Sequence, residues 1–140
     1  MEIINELEKK LRIKRAVISP EMYHKEFRVG RKDLKSARKS YSDGNYKWAI
    51  IQSYYSIFHA VRALLYKSGF REESHTALKF AFKALYVEKK IISIETYNTL
   101  ERGMNLREMA DYKESYSQAG ADLLIKAVET ALLEIEKELF

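Results

Sequence analysis

Cysteine is absent from all 140 residues. That excludes a disulfide framework, a thiolate nucleophile and any cysteine-ligated zinc site, and it suits a reducing cytosol. Proline occurs once, as Pro20, and glycine five times. An all-β design needs many more turn residues than that. The longest stretch free of Asp, Glu, Lys and Arg runs from Trp48 to Val61, and it still carries Gln52, Ser53, Ser56 and His59. It is too short and too polar for a bilayer span. Glu2, Glu6 and Glu8 stand among the first apolar residues, the reverse of the basic-then-apolar order of a secretory leader. The expectation is a cytoplasmic protein with no membrane attachment. His24, His59 and His75 lack metal-ligand spacing, and no His-Glu-x-x-His, phosphate-binding glycine loop or Gly-x-Ser-x-Gly element occurs. No metal, no cofactor and no Ser or Cys nucleophile are therefore expected.

What is present reads as helix. The length fits one domain, long enough to bury roughly two-thirds of its unfolded surface. Apolar spacing predicts an all-α fold, an up-and-down bundle of four main helices plus a short additional helix. Ile4, Leu7 and Leu11 mark a brief amphipathic helix over residues 3–13. Ser19-Pro20-Glu21 starts a helix that runs to about Tyr41, by N-cap, first-turn proline and early acid. Ser42 to Asn45 is a turn, and the helix from Asn45 to about Ser68 stops at Gly69. Further helices are expected over about 75–88, 93–111 and 117–139, the last on Leu124, Val128, Ala131, Ile135 and Leu139.

Charge is unevenly placed. The net formal charge is +5, yet residues 1–42 hold twelve Lys or Arg against six Asp or Glu. The remainder is close to balanced. The basic excess is either a solvated, salt-bridged helix surface or a face that tracks a phosphate backbone.

Two helices carry polar residues where burial is expected. At about 100° per residue, Gln52, Tyr55, His59 and Arg62 fall on one edge of the 45–68 helix. The opposite arc is small: Ala49, Ser53, Ser56, Ala60 and Ala63. On the 93–111 helix, the stripe of Tyr97, Leu100 and Met104 continues into Arg107 and Asp111. Buried polar groups cost free energy unless paired, so these clusters are either a satisfied internal network or the wall of a pocket. Arg107 and Asp111 are either an i,i+4 ion pair at a helix end or an arginine held by a carboxylate and aimed at phosphate. His75, just after Ser74, is either structural or a proton carrier whose pKa is lowered by the helix N-terminus.

The stretches Asn45-Tyr46-Lys47-Trp48-Ala49 and Ser53 through Leu65, with Ser74-His75-Thr76 and Asn105 through Tyr112, resemble HEPN-domain proteins from about residue 28 onward. The resemblance implies one HEPN-like domain over residues 1–140, a helical bundle that commonly dimerises, a role with nucleotides or RNA, and in one prokaryotic branch pairing with a minimal nucleotidyltransferase in a toxin–antitoxin arrangement. Many members are metal-independent ribonucleases, in which a histidine follows the late arginine by four to six residues. Arg107 matches that arginine, but Asp111 or Tyr112 stands where the histidine belongs. Three readings follow. A homodimer is expected in each. The first is a nucleotide- or RNA-binding module, with Arg107 on phosphate, Asp111 orienting it, and Tyr54, Tyr55 and Arg62 on the ligand. The second is a metal-independent endoribonuclease with a variant site, with His59 or His75 carrying the proton. The third is a non-catalytic protein-interaction bundle.

Overall fold

Polar side chains set the helix starts. The computed structural model describes residues 8–140. It contains α1 (Pro20–Ser42), α2 (Tyr46–Lys67), α3 (His75–Phe82), α4 (Ile94–Tyr112) and α5 (Gln118–Leu139). Ser19, Asn45, Ser74, Ser93 and Ser117 precede them, and each side-chain oxygen accepts a backbone N–H of the first turn. Each such cap is worth about 1 kcal/mol. Four long helices and the short α3 make the all-α bundle that the sequence predicts. The tight turn between α1 and α2 uses Gly44 at φ +77°, a left-handed conformation that glycine adopts without a Cβ penalty.

The N-terminal helix expected over residues 3–13 needs correction. Ile4 and Leu7 lie outside the described residues. Residues 8–11 are helical, but Arg12 turns at φ 55° and Ile13 enters a strand. That strand, β1 (Ile13–Arg15), pairs antiparallel with β2 (Phe70–Glu72) in the register Ile13 to Glu72 and Arg15 to Phe70. Gly69, at φ +85°, turns the chain from α2 into β2, and its carbonyl accepts Ala16 N–H at 2.8 Å. Three-residue strands show no alternating pattern to read, and their partners are more than fifty residues apart in sequence. The helix expected over 75–88 is α for its first two turns and then widens to i→i+5 bonding over Lys83–Val87. Tyr86 lies in that wide turn, and its hydroxyl donates to Leu64 O at 2.6 Å at the end of α2.

α2 is the axis of the bundle. It packs against α1, α4 and α5, while α1 and α4 do not touch. Ile50, Tyr54, Ile57, Phe58, Leu64 and Leu65 are all essentially sealed from solvent. Burying one such side chain is worth about 1.5–3 kcal/mol. The small arc of α2 is what lets α1 close in. Ser56 Oγ donates to Gly30 O at 2.7 Å, and a Cβ added at Gly30 would sit 2.6 Å from Ser56 O and 3.5 Å from His59 Cβ.

Gly30→Ala should destabilise the fold by about 1–3 kcal/mol in denaturant unfolding, because overpacking outweighs the helix-propensity gain of about 1 kcal/mol. Gly103→Ala, whose Cβ would meet its nearest neighbour at 3.4 Å, should change stability far less. Equal effects would refute the close-approach argument.

Candidate functional site

The polar edge of α2 lies half-exposed between α1 and α4, and the structure divides it among different partners. Gln52 meets Ser40 Oγ of α1 at 2.7 Å. His59 has a carboxylate at each ring nitrogen: Nδ1 is 2.6 Å from Glu26 Oε1 and Nε2 is 3.6 Å from Asp33 Oδ2. Arg62 donates from Nε to Glu72 Oε2 at 2.8 Å, with Nη2 at 2.6 Å from the same oxygen and Nη1 at 3.4 Å from Glu26. Its guanidinium also lies over the Phe58 ring, 4.4 Å from the centroid. His59 and Arg62 are therefore members of one internal network rather than open groups. Burial pulls the Glu26 carboxyl up, but the hydrogen bond from His59 and the nearness of His59 and Arg62 outweigh it and hold the pKa below the usual range. Asp33 is raised, chiefly by burial.

Tyr55, Arg107 and His75 meet elsewhere. Tyr54, Tyr55, His75, Thr76, Met104, Arg107 and Glu108 line a cavity of about 220 Å³ between α2, α3 and α4. That is below the 300–1,000 Å³ typical of sites that enclose a whole small ligand. It suits a single anionic group whose remainder stays outside. A groove of about 600 Å³ between α1 and α5 is larger, but its Arg38 is paired with Glu129 at 2.8 Å and its Arg31 with Glu136.

Arg107 is the cation in the lining of the small cavity. Nη2 donates to Tyr55 Oη at 3.3 Å and lies 3.5 Å from Asp111 Oδ2. Both contacts are long. Nε is buried and has no hydrogen-bond partner among the described residues. An orphaned buried donor on a cation costs free energy, and no neighbouring group among the described residues offsets that cost with a hydrogen bond. Tyr54, Tyr55 and Tyr112 surround the guanidinium, with ring centroids 6.0, 5.7 and 5.4 Å from Cζ.

His75 opens α3, stacks on Phe58 at 4.2 Å between centroids, and its Nδ1 lies 2.5 Å from Tyr54 Oη. Burial first, and then Tyr55, raise the Tyr54 pKa well above the ordinary phenol value, so the hydroxyl stays protonated. Tyr54 is 1% exposed, and its hydroxyl has no other acceptor among the described residues. A buried hydroxyl satisfies its proton, so Tyr54 donates to Nδ1. Neutral His75 then carries its own proton on Nε2. Burial, followed by the charges of Arg107 and Arg62, lowers the His75 pKa.

The structure thus brings together four of the residues singled out in sequence, Tyr54, Tyr55, His75 and Arg107, with Asp111 and Tyr112 beside them. His59 and Arg62 fall in the carboxylate network instead. Tyr54 offers no ring face to a ligand, because it is sealed in the core; Tyr55 is half-buried and Tyr112 is 70% exposed. Sequence reasoning missed Glu26, Asp33 and Glu72, which hold His59 and Arg62. The signal for the first two was their placement on α1, seven residues apart, on one side of Gly30.

A helical bundle with an arginine-centred polar cavity between its central helix and α4 agrees with a sequence match. The HEPN domain model fits residues 23–138, and the chain belongs to the HEPN family. A relative in Archaeoglobus fulgidus, named "UPF0332 protein", is 28% identical over 110 residues, covering 79% of this chain and 86% of its own. In Methanocaldococcus jannaschii, "Putative toxin MJ0605" is 25% identical over 112 residues, covering 79% and 84%. "Putative toxin MJ0142" of the same organism is 26% identical over 81 residues, 58% of this chain; the match spans about half the length of that relative, 55%. Among the described residues no helix is long and apolar enough to cross a membrane.

The lowered His75 pKa carries a stability signature. Below about pH 6.5, the ordinary histidine value, the unfolded chain takes up a proton that the folded chain still refuses. Stability contributed by neutral His75 is therefore complete above that pH and declines as pH falls from about 6.5 toward the folded value. Urea unfolding should show this decline between neutral and mildly acidic pH, and His75→Gln should flatten it. An unchanged slope in the variant would place the titration elsewhere. Glu26 acts in a lower window, its stabilisation being present above about 4.5 and lost as pH falls through its depressed folded value.

Proposed function

We propose that this chain is a single HEPN module over residues 1–140 that binds the phosphate of a nucleotide or RNA at the Arg107 cavity. It acts as the toxin-type half of a pair with a minimal nucleotidyltransferase. The observation that carries this reading is the Arg107 guanidinium in the cavity lining, held only by two long contacts through Nη2, with His75, whose Nε2–H Tyr54 fixes, in the same lining. Both are donors, and together they answer the oxygens of an anion. Tyr55 and the exposed Tyr112 flank the cavity, where the base, too large for 220 Å³ of space together with its phosphate, would lie against a ring. Base–aromatic stacking is worth about 1–3 kcal/mol. The toxin names of the two Methanocaldococcus jannaschii relatives support the paired arrangement.

The same geometry weakens the ribonuclease reading without removing its residues. A general base needs a free lone pair near the reacting hydroxyl. His75 Nδ1 already accepts from Tyr54, and Nε2 holds a proton. His59 lies among Glu26 and Asp33, outside the cavity lining. Asp111 and Tyr112 supply no imidazole. Binding requires no change of this tautomer; cleavage requires one.

Arg107→Ala should weaken mononucleotide binding about ten- to a hundredfold in calorimetry, the range for losing a charged hydrogen bond, with the fold intact by circular dichroism. Neither the parent protein nor the variant should cut structured RNA in chelator. Cleavage by the parent that disappears in Arg107→Ala or His75→Ala would replace the binding reading with the ribonuclease one.

The homodimer belongs to the same proposal. Met109, Tyr112 and Tyr116 are exposed near the C-terminal end of α4, and methionine and aromatic residues are enriched at protein interfaces. Sedimentation at micromolar concentration should show a dimer, and Met109→Glu should shift it toward monomer. A parent protein that is monomeric at high micromolar concentration contradicts the dimer.

A further inference from the structure

α1 sorts its charges by direction. Between residues 25 and 39 it has two carboxylates, Glu26 and Asp33, and both turn inward to His59 and Arg62. Two of its arginines, Arg31 and Arg38, lean toward α5 and pair with Glu136 and Glu129. Five cations remain: Lys25, Arg28, Lys32, Lys35 and Lys39. All five are exposed, and none has a side-chain ion pair or hydrogen bond among the described residues. Their spacing alternates between three and four residues, so at about 100° per residue they fall within about 80° of arc. That arc faces away from the buried side of α1, which carries Phe27, Gly30, Leu34 and Ala37. Within residues 25–39 the arc holds no carboxylate and no apolar side chain.

This arrangement fits one kind of partner. The core of a protein interface is apolar and aromatic and depleted of lysine, and this face has no such centre. A free nucleotide concentrates its phosphates at one point, whereas the five cations extend over about 21 Å of helix. A polynucleotide strand carries one charge per residue along its whole length. Glu26 and Asp33 lie off this arc, and the exposed Glu21 marks its N-terminal end.

We propose that this face of α1 is a second binding site, separate from the Arg107 cavity, that takes the phosphodiester backbone of a single-stranded polynucleotide. It deepens the reading of the cavity, and rests on it for the chemistry of the ligand, by making that ligand a strand rather than a free nucleotide. RNA and DNA share the backbone, and the test separates them.

The test compares the full chain with the triple variant Lys32→Gln/Lys35→Gln/Lys39→Gln. These side chains have no partners to lose, so folding should be unaffected. Binding of a fluorescent single strand, as RNA and as DNA, is followed as a function of salt, and mononucleotide binding is measured beside it. Each phosphate contact in a single strand contributes about 0.7 to the slope of log K against log salt. The triple variant should therefore lose about 2 from that slope and bind the strand at least tenfold more weakly at moderate salt. Its mononucleotide affinity should match that of the parent. A larger affinity for RNA than for DNA assigns the strand to RNA; equal affinity assigns the site to the shared backbone. Arg107→Ala should give the opposite pattern, losing mononucleotide binding and little of the slope. Loss of slope in the triple variant from a parent that binds no mononucleotide would keep the α1 site and dismiss the cavity reading. Parent-like slope and strand affinity in the triple variant, or no strand binding by the parent, would overturn the proposal. So would competition by polyglutamate as effective as that by RNA, which would assign the face to an acidic protein.

Discussion

The contact between α1 and α2 at Gly30 governs much of the rest. Without a side chain at that position, the two helices approach until Ser56 Oγ bonds directly to the Gly30 carbonyl. At this separation Glu26 and Asp33, on one side of Gly30, reach the ring of His59 on α2. Glu26 also reaches Arg62, and Arg62 is held from its other side by Glu72 in β2. The close approach therefore pairs His59 and Arg62 with the two carboxylates of α1, and β2 adds a third. A wider spacing would leave Glu26 and Asp33 on the surface of α1 and remove acceptors from the half-buried side chains of His59 and Arg62, and a buried polar group left without its partner costs free energy.

The second arrangement depends on what the first one leaves out. Arg62 and His59 are engaged, so the cavity between α2, α3 and α4 has Arg107 as its cation, with the Glu108 carboxylate also in its lining. Arg107 itself is only loosely held, by two long contacts through Nη2. The two sites differ in kind. The ring of His59 has a carboxylate at each nitrogen, while Arg107 beside the cavity keeps a donor, Nε, without a partner among the described residues. Tyr54 contributes to the cavity without entering it. Its buried hydroxyl fixes where the proton of His75 sits, and so determines whether that ring presents a donor or a lone pair.

The same accounting applies to the surface. A basic excess confined to the first third of the chain describes composition only. In the structure, Glu26 and Asp33 of α1 point inward, two of its arginines are neutralised by α5, and the five remaining cations share one outward face. Net charge is unchanged by these pairings, but its distribution is not, and an extended anion responds to distribution.

Helices and their ends were legible in the sequence because they depend on local chemistry. Ser19, Asn45, Ser74, Ser93 and Ser117 cap the turns that immediately follow them, and apolar spacing marks the buried stripe of α5 without reference to any other element. Membership of the HEPN family was legible too, in the order of its segments. The β1–β2 pair was not, because each strand is only three residues long and gains its hydrogen bonds from a partner distant in the chain. The site was half legible. Helical geometry placed Gln52, Tyr55, His59 and Arg62 on one edge and Arg107 with Asp111 on another. It left open which of them would be paired, since pairing depends on α1 and β2, whose positions no local rule supplies. Only the packing of helices decided that Arg107 and His75 share a cavity while His59 and Arg62 do not, because distances between elements are set by how closely their side chains let them approach.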